Sequence, residues 1–571
     1  MKNQKLARVL SFLISIVLCV SILAGCGAAK QQGSGTTASN EATSQASTVA
    51  ASEPTLDPMA KYQPAITVMG ATTAITADNP TKFAEGDSVE NNPWIRGYES
   101  ELGIKLKYNW VVAGSQYDQK LNISIASGEI PDIFYVNKQQ YKMLLDADMI
   151  TDISDVYAKF TLPEVKEQIE YDPLGYRSAE FDGKLMGWPT TGNSNESASL
   201  LWIRQDWLKK LNLEAPKTMQ DLLNISKAFT ENDPDGNNKK DTFGLAINKD
   251  FYSSFFSIHG FSNGYHAYPN AWIDRGDGKL VYGSIQPQMK EALKALQEMF
   301  KAGQIDPEFG IKDGGKVQES VLSDKIGIEY GQWWNPNWPL PSQNYETNKA
   351  EWVPFLPVSI DAEPAKAMIS SYVSQYYVVR KGFEHPEALI KLANFNQIKN
   401  ISTDPEVRKN YFAENSDNGA AQYGFLNYIT YYDPRQNETK YNRIMEAEKS
   451  GGDTSKMDPD TKEQYLNNFL KMKAAHPEAS KAMDCFGAEG SIKRLIDLKK
   501  GNLMMWDRFY GASTDTMTEK WQSLLKEENV VFTKIILGDS IDKFDLFVEN
   551  WKKLGGDTIT AELNVWYLKN K

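Results

Sequence analysis

The chain has 571 residues, of which 41% are hydrophobic and 24% are charged. These are the proportions of a globular protein, and they exclude a disordered chain, a collagen and a polytopic membrane protein. The net charge of -12 also argues against nucleic acid as the main partner, because an acidic surface repels a polyanion. The length predicts more than one folding unit.

The first 26 residues have the layout of a bacterial secretion signal. Lys2, Lys5 and Arg8 precede an apolar run over residues 9–23 that is too short for a comfortable transmembrane helix. The run ends in Leu23-Ala24-Gly25-Cys26, which resembles the bacterial lipobox, where the cysteine sulfur receives a diacylglyceryl group and the peptide is cut before it. We therefore predict a signal peptide over residues 1–25 and a lipidated, palmitate-carrying Cys26. The alternative is an ordinary secretion signal that contains a cysteine.

Residues 27–58 are small and polar, with almost no bulky apolar side chain. Such a segment cannot bury enough surface to offset the entropy of ordering, so residues 26–61 are predicted to be the lipidated cysteine and a flexible tether. Two acyl chains on one cysteine are enough for stable membrane anchoring. The folded module is predicted to begin near Tyr62.

The module opens with a strand–helix–strand pattern. A β-branched run over residues 65–70 predicts a first buried strand, and alternating apolar and polar residues over 104–110 predict a second. A helix face at spacing four then leads from Tyr117 to Gly128, and residues 131–136 predict a third strand. A strand, a helix and a strand within about 35 residues make a βαβ unit, which predicts a partly parallel sheet.

The same alternation recurs later in the chain. A helix is predicted from Pro287 to Gly303, a strand over residues 376–379, a helix that starts at residues 385–387, and a late apolar helix stripe that ends at Gly555. No repeat with a period of about 20 to 50 residues is present. The predicted fold class is therefore α/β, in two lobes.

The residue patterns of common enzyme classes are absent or incomplete. The four histidines lack the spacing of a zinc protease, Cys485 stands far from the two other cysteines, and no phosphate-binding P-loop occurs. Residues 260–264 read Gly-Phe-Ser-Asn-Gly and match the nucleophile-elbow pattern, which needs a strand before it and a helix after it. The residues that follow resemble a loop, so we predict a polar loop here and no catalytic residue.

Residues 233–241 have the ligand spacing of a calcium-binding loop. Asn238 stands at the position usually taken by glycine and tolerates the same left-handed backbone, whereas Gly244 replaces the usual bidentate glutamate and should lower the affinity. The alternative is a solvated acidic turn. The predicted ligands of a structural Ca²⁺ are Asp233, Asp235, Asn237, the backbone carbonyl of Lys239, and Asp241.

One group of aromatic residues differs from ordinary core residues. Trp333, Trp334 and Trp338 lie within six residues and are separated by asparagine and proline. Three indoles at this spacing cannot all face one side of a regular element, so some of them are predicted to line a surface cleft, where a flat indole complements the C–H face of a pyranose ring. The alternative for each tryptophan is core packing.

Several segments together resemble extracellular solute-binding proteins of family 1, in the LplA-like branch found as lipoproteins in Gram-positive bacteria. They are spread over residues 62–567, and their order is specific although no single segment is decisive. The segments are Ala126-Ser127-Gly128-Glu129-Ile130-Pro131-Asp132-Ile133, Phe181-Asp182-Gly183-Lys184-Leu185-Met186-Gly187-Trp188-Pro189, residues 201–208, the calcium-type loop, and residues 532–567.

The resemblance implies a type II periplasmic-binding-protein fold, in which two α/β lobes joined by hinge strands close on a ligand. It places residues 62–192 and about 366–450 in the N-terminal lobe, and residues 193–365 and about 451–571 in the C-terminal lobe, with crossovers near Asn193 and Ala365. It also implies a lipid anchor at the outer face of the cytoplasmic membrane and delivery of a mono- or oligosaccharide to an ABC transporter permease. We expect a monomer without an organic cofactor.

Comparison with clefts of that family suggests candidate ligand contacts in five stretches of the chain. Only the neighbourhoods around residues 182–189 and 331–334 match the family pattern directly. The candidates are Trp188, Asn193, Asn195, Trp272, Trp333, Trp334, Asn335, Trp338, Trp506, Asp507 and Arg508.

Two other functions are compatible with the same features. A ligand-sensing lipoprotein that serves a signalling receptor would also bind a sugar without cleaving it. A glycoside hydrolase would need two carboxylates at a defined separation, which a sequence does not reveal. We rank the transport receptor first, the sensor second and the enzyme third.

Overall fold

A computed structural model describes residues 57–74, 83–190, 192–341, 350–412, 423–430 and 432–571. The predicted signal peptide, the lipidation site at Cys26 and residues 26–56 of the predicted tether lie outside these residues. Over the described ranges, every helix is either too short or too polar to cross a membrane.

Most strands in the described part of the chain are short and belong to small sheets. Their bounds are β1 Ile66–Thr73, β2 Ile104–Val112, β3 Ile133–Asn137, β4 Glu180–Phe181, β5 Lys184–Leu185, β6 Trp188–Pro189, β7 Leu200–Arg204, β8 Phe243–Leu245, β9 Trp272–Asp274, β10 Leu280–Tyr282, β11 Ile326–Gly331, β12 Trp352–Phe355, β13 Ala367–Ile369, β14 Gln375–Val379 and β15 Met504–Trp506.

Helices surround these sheets and dominate the last quarter of the chain. Their bounds are α1 Pro93–Gly97, α2 Tyr117–Ser127, α3 Lys138–Asp146, α4 Ser154–Phe160, α5 Pro163–Ile169, α6 Pro173–Ser178, α7 Gln205–Lys210, α8 Met219–Glu231, α9 His259–Asn263, α10 Pro287–Lys301, α11 Gly314–Leu322, α12 Glu387–Ile401, α13 Pro405–Phe412, α14 Gln436–Lys449, α15 Pro459–Glu463, α16 Leu470–Ala475, α17 Ser480–Met483, α18 Ser491–Lys500, α19 Asp515–Ile536, α20 Lys543–Trp551 and α21 Asp557–Asn570.

The strand–helix–strand opening predicted from the sequence is present as β2, α2 and β3. Its helix ends where Gly128 takes a φ of 77°, a left-handed conformation that glycine adopts without steric cost. The pairs β1–β2, β8–β11 and β13–β15 are parallel, which confirms a partly parallel sheet. The polar loop predicted around Ser262 is wrong, because residues 259–263 form the buried helix α9.

A first hydrophobic core collects side chains from residues 68–188 and 373–429. Its centre is the antiparallel sheet β3–β14–β6, and β1 joins the edge where the Asp132 N–H donates to the Met69 carbonyl at 2.7 Å. Helix α12 is buried on nearly all sides, so its polar residues need partners inside the core. The amide of Asn394 donates to the Phe160 carbonyl at 2.7 Å, and the amide of Asn396 donates to the Ile429 carbonyl at 2.6 Å.

A second core lies on both faces of the mixed sheet β12–β7–β11–β8. Strand β7 is buried along its whole length, and its side chains alternate between the two faces as the strand period of two requires. Leu201 and Ile203 pack into a cluster with the C-terminal helices α19 to α21, whereas Leu200 and Trp202 pack into a cluster with α14 and α18.

The chain passes three times between these two cores. It leaves the first core after Trp188 and joins the second at Ala198, returns between Ile369 and Val373, and leaves again after Ile429. Helix α14, predicted from the sequence to belong to the first lobe, packs in the second core through Ile444 and Ala447. The division of the chain into two lobes at particular residues stays a prediction.

Candidate functional site

A cavity of about 450 Å³ lies where the three connecting segments meet. The first segment supplies Glu196 and Ser197, the second supplies residues 370–372, and the third supplies Tyr432. The remaining wall is formed by Ser199, Met368, residues 332–334 after β11, and residues 252–254, 257 and 259. The cavity is therefore bounded by every segment whose backbone would have to move if the two cores changed their relative orientation.

Two of the predicted tryptophans line this cavity. Trp333 and Trp334 follow directly after β11, and both are half-buried. The indole N–H of Trp334 donates to the Gln332 side-chain carbonyl at 2.9 Å. The ring of Trp338 lies nearly parallel to that of Trp334 at a centroid distance of 6.3 Å, but Trp338 is 43% exposed and does not line the cavity.

A buried acid–amide pair positions the tryptophan loop. The side-chain amide of Asn335 donates to Glu329 Oε1 at 2.8 Å, and the backbone N–H of Phe256 donates to Glu329 Oε2 at 3.1 Å. Burial raises the pKa of Glu329 to about 7. A Cβ atom at Gly331 would lie 1.8 Å from the Asn335 amide nitrogen, so only glycine lets the loop fold back this closely. Asn335 is thus a fully buried support of the loop and does not line the cavity.

Glu196 is the acidic group of the cavity wall. It lies in the short turn Ser194–Ser197, and it accepts hydrogen bonds from Tyr432 Oη at 3.0 Å and Asn437 Nδ2 at 3.1 Å. Burial raises the pKa of Glu196 to about 7, although hydrogen bonds from its neighbours, which include Asn193 and Trp333, act in the opposite direction. The turn therefore presents to the cavity a carboxyl group whose ionisation is disfavoured by burial.

The predicted contacts Asn193 and Asn195 shape this turn and are not part of the cavity wall. The Asn193 side chain is buried and accepts the backbone N–H of Asn195 at 3.1 Å. Asn195 Oδ1 is buried and has no hydrogen-bond partner among the described residues. Nearby, a Cβ at Gly192 would lie 1.8 Å from the Tyr372 ring, which indicates how closely the first and second connecting segments approach.

The rest of the wall is aromatic and rich in hydroxyl groups. Tyr372 and Tyr432 stack at 5.7 Å with an interplanar angle of 21°, and Tyr252 stacks on His259 at 5.1 Å with an angle of 22°. Burial lowers the pKa of His259 to about 4, so the imidazole is neutral at pH 7. Seven serines also line the cavity. The site is suited to a ligand that has both flat apolar faces and hydroxyl groups.

Five other predicted contacts lie outside the cavity wall. Trp188 is 3% exposed in the first core, and Trp272 is 3% exposed in the second. Trp506 pairs with β13 and packs against the second core, and Asp507 accepts backbone N–H groups from residues 272 and 509. Burial raises the pKa of Asp507 to about 6. Arg508 is exposed.

Sequence reasoning missed much of the wall. Glu196, Tyr372 and Tyr432 come together only because the three connecting segments meet, and Glu196 and Tyr432 are 236 residues apart in the chain. Only Glu196 carried a usable signal, since it follows directly after the crossover predicted near Asn193. Residues 252–259 have no motif that marks them as a binding wall.

The predicted calcium loop is a tight turn held by its own polar groups. Asp233 and Asn238 have φ values of 51° and 61°, so the left-handed backbone expected at Asn238 is confirmed. The Asn237 amide donates to Asp235 Oδ2 at 2.6 Å and to Asp241 Oδ1 at 3.0 Å. Burial and the adjacent Asp233 carboxyl raise the pKa of Asp235. The predicted metal-ligand atoms of the loop are all oxygens, which suits Ca²⁺.

The arrangement of side chains does not form a metal site in the described structure. Within the described ranges, no three acidic, histidine or cysteine side chains are placed so that they could hold a metal ion. In the loop, the amide nitrogen of Asn237 donates to the carboxylates of both Asp235 and Asp241 and so takes the place between them. A bound cation would require this side chain to turn its oxygen inward.

The sequence model of bacterial extracellular solute-binding proteins matches residues 81–395, which is more than half of the chain. The chain belongs to this family. A polygalacturonan/rhamnogalacturonan-binding protein of Bacillus subtilis strain 168 is 29% identical over 240 residues, which cover 42% of this chain and 46% of that protein. A fructooligosaccharide ABC transporter substrate-binding protein of Streptococcus pneumoniae is 27% identical over 269 residues, which cover 44% and 48%. The chain thus spans about half the length of the curated relatives it matches.

Solved structures share the fold over nearly the whole chain. An HMO-binding solute-binding protein from Bifidobacterium longum infantis superposes with a TM-score of 0.59 at 17% identity, covering 88% of this chain and 98% of that one. The S. pneumoniae fructooligosaccharide-transporter protein in complex with kestose gives 0.56 at 16% identity, covering 89% and 100%. The alginate-binding protein AlgQ2 without calcium gives 0.55 at 17% identity, covering 90% and 100%. The predicted α/β, two-lobed type II periplasmic-binding-protein fold is confirmed.

Proposed function

We propose that this protein is the extracellular receptor of an ABC importer, which captures a mono- or oligosaccharide and delivers it to the permease by hinge closure. The observation that carries the proposal is the cavity at the meeting point of the three connecting segments, with Trp333 and Trp334 in its wall. A ligand held there would be contacted by the segments that connect the two cores, so its binding would bias their relative orientation.

The chemistry of the wall suits a sugar. Burying the C–H face of a pyranose against one indole contributes about 1–2 kcal/mol at about 25 cal/mol per Å². The side-chain atoms Ser199 Oγ, Ser371 Oγ and His259 Nε2 of the wall are buried without a hydrogen-bond partner among the described residues. An unmatched buried polar atom costs about 1–3 kcal/mol, and ligand hydroxyl groups could supply the missing partners.

Two polar contacts between the cores involve exposed side chains. Lys142 of α3 lies 3.6 Å from Asp515 of α19, whose carboxylate is 94% exposed. Lys499 of α18 donates to Tyr171 Oη at 3.0 Å. Exposed contacts of this kind contribute little to stability because water and salt screen them. These two contacts would therefore add little to the cost of separating the cores.

Relatives support a binding function over a catalytic one. The curated relatives described above are named as sugar-binding or transporter substrate-binding proteins. Glu196 is the only carboxylate in the described cavity wall, whereas glycoside hydrolysis by the common mechanisms needs two. Incubation with labelled oligosaccharides should therefore give saturable binding without product release.

The proposed site of action is the outer face of the cytoplasmic membrane. The signal peptide over residues 1–25 and diacylation of Cys26 would provide the anchor. A relative that is 26% identical over 249 residues is named Lipoprotein LipO, which supports this proposal. Labelling of cells with radioactive palmitate should mark the wild-type protein, and the Cys26→Ala variant should be unlabelled. Equal labelling of both proteins would refute the anchor.

We also propose a structural Ca²⁺ in the loop of residues 233–241, held by Asp233, Asp235, Asn237, Asp241 and the Lys239 carbonyl. The all-oxygen donor set supports it, and a solved structural neighbour is described as an EF-hand mutant. The ion would contribute stability to the second core and take no part in sugar binding. Calorimetric titration with Ca²⁺ tests this proposal directly.

A broad glycan screen tests the receptor function. The full chain, purified in detergent, should show a saturable thermal shift with at least one oligosaccharide, and the same sugar should remain intact after incubation. A panel without any shift would contradict the proposal, and product release would favour the enzyme.

A further inference from the structure

We infer that the cavity selects uncharged sugars and rejects uronates, an inference that rests on the proposed sugar-receptor function. The reason is the distribution of charge around the ligand space. No described residue of the wall is a lysine or an arginine, and Glu196 is the only acid there. The one histidine, His259, is neutral at pH 7 because burial lowers its pKa.

The described neighbours that interact with Glu196 are neutral. Tyr432 and Asn437 donate to its carboxylate from the third connecting segment and from α14. Asn193 of its own turn, Trp333 of the tryptophan loop and Tyr372 of the second segment complete its surroundings. None of these groups carries a positive charge, so they leave the charge of the Glu196 carboxylate, which lines the cavity, unbalanced.

Basic side chains close to the third segment are engaged elsewhere. Arg435 pairs with Glu167 at 2.8 Å, and Lys440 pairs with Asp460 at 2.6 Å. Lys138, at the start of α3, has its pKa lowered by burial and is attracted to Asp507, which lies outside the cavity wall. None of these cations is described in the wall, so none is available to neutralise a carboxylate on the ligand.

The physical consequence is a selection against negative charge. A uronate that entered the cavity would lose its water without gaining a cationic partner, and it would face the Glu196 carboxylate. A neutral sugar would instead donate hydrogen bonds from its hydroxyl groups to the Glu196 carboxylate. Hydrogen bonds to a charged acceptor of this kind are strong. We expect the neutral form of a ligand to bind at least tenfold more tightly than its uronate.

A matched set of three ligands isolates the effect of charge. A neutral oligosaccharide that binds is oxidised at C6 to its uronate, and the uronate is then converted to its methyl ester. The ester keeps the altered C6 but carries no charge, so the comparison of uronate with ester measures charge alone. Calorimetry on the full chain at pH 7.5 and low salt should give a Kd for the uronate at least tenfold higher than that of the ester.

Two variants test whether the wall charge is responsible. Glu196→Gln removes the negative charge and should reduce the uronate-to-ester ratio at least threefold. Ser254→Lys adds a cation to the wall at a half-buried serine and should lower the ratio independently of Glu196. The control is Ser523→Lys, the same change at an exposed position of α19, which should leave the ratio unchanged.

The outcomes separate this inference from the proposed function. If the uronate binds as tightly as its ester, the charge selection is refuted while the sugar-receptor function stands. The same conclusion follows if natural oligogalacturonates or alginate oligomers bind and neutral sugars do not. If no neutral or anionic oligosaccharide binds, the receptor function itself fails and the inference falls with it.

Discussion

The side-chain amide of Asn335 donates a hydrogen bond to the carboxylate of Glu329 at 2.8 Å, and both residues are fully buried. This pair connects the last residues of strand β11 to the loop that follows it. The loop positions Trp333 and Trp334 through a hydrogen bond in the core, so the geometry of the cavity wall depends on a residue that does not line the cavity.

Replacing Glu329 should therefore damage both stability and binding. Glu329→Ala leaves the Asn335 amide and the Phe256 N–H without an acceptor, which should lower the free energy of unfolding by about 2–3 kcal/mol. Urea unfolding measures the loss. Glu319→Ala, the same change at an exposed position of α11, serves as the control and should alter stability little. Equal effects of the two changes would contradict a supporting role for Glu329.

Buried Glu528 predicts a stability that falls as the pH rises. Its carboxyl accepts hydroxyl hydrogen bonds from Tyr252, Tyr282 and Ser284, yet burial still raises its pKa from 4.5 to about 7. Between these two pH values the folded protein binds more protons than the unfolded chain, so the free energy of unfolding should decrease with pH across this window. The decrease should be of order 1–3 kcal/mol.

Glu528→Gln tests this assignment, because glutamine has the shape of the protonated acid but does not titrate. In the variant, the free energy of unfolding should lose the part of its pH dependence between pH 4.5 and 7 that is due to Glu528. The part due to other groups should remain, including that of His259, whose lowered pKa acts in the opposite sense. Urea unfolding at pH 5 and pH 7.5 measures both slopes. A variant with the wild-type slope would show that Glu528 titrates normally.

Removal of calcium should lower the melting temperature if the loop of residues 233–241 holds the ion. EDTA should destabilise the wild-type protein, and the stabilisation should return when excess Ca²⁺ is added. Asp233→Ala removes one proposed ligand and should abolish the EDTA effect, whereas Asp277→Ala in another exposed turn should preserve it. A wild-type protein with the same melting temperature in EDTA and in Ca²⁺ would identify the loop as a solvated acidic turn.

Selection against uronates should weaken at low pH. Glu196 has a pKa raised by burial to about 7, so at pH 5.5 it is mostly protonated, while a uronate is still ionised. The groups that face Glu196 are Tyr432, Asn437, Asn193, Trp333 and Tyr372, and none of them titrates between pH 5.5 and 7.5. The ratio of uronate Kd to ester Kd should therefore fall several-fold from pH 7.5 to pH 5.5. A ratio independent of pH would show that another group sets the selectivity.

Periodicity in the sequence was enough to predict much of the fold. Helices α2 and α10 and strand β2 begin and end within a few residues of the predicted positions, because their burial follows the 3.6-residue or two-residue period. Helix α12 and strand β14 also begin within two residues of the predicted positions. The helix α9 was missed, since five residues with two glycines near them show no helical period.

The candidate site was harder to predict from the sequence for a physical reason. From the sequence alone, a tryptophan can pack in the hydrophobic core or line a cavity. Trp188 and Trp272 pack in the cores, whereas Trp333 and Trp334 line the cavity. Trp333 and Trp334 could be recognised because no regular element can bury a cluster of that spacing. Tyr372 and Tyr432 could not, because their role depends on the meeting of connecting segments that are distant in the chain.

The most direct test of the account is calorimetric titration of a bound oligosaccharide with wild-type protein and Trp334→Ala. The indole in the cavity wall should contribute about 1–2 kcal/mol, so its loss should raise the Kd by roughly five- to thirtyfold. Trp338→Ala, the same change just outside the wall, should have a clearly smaller effect. An unchanged Kd in the folded Trp334→Ala variant would contradict sugar capture in this cavity.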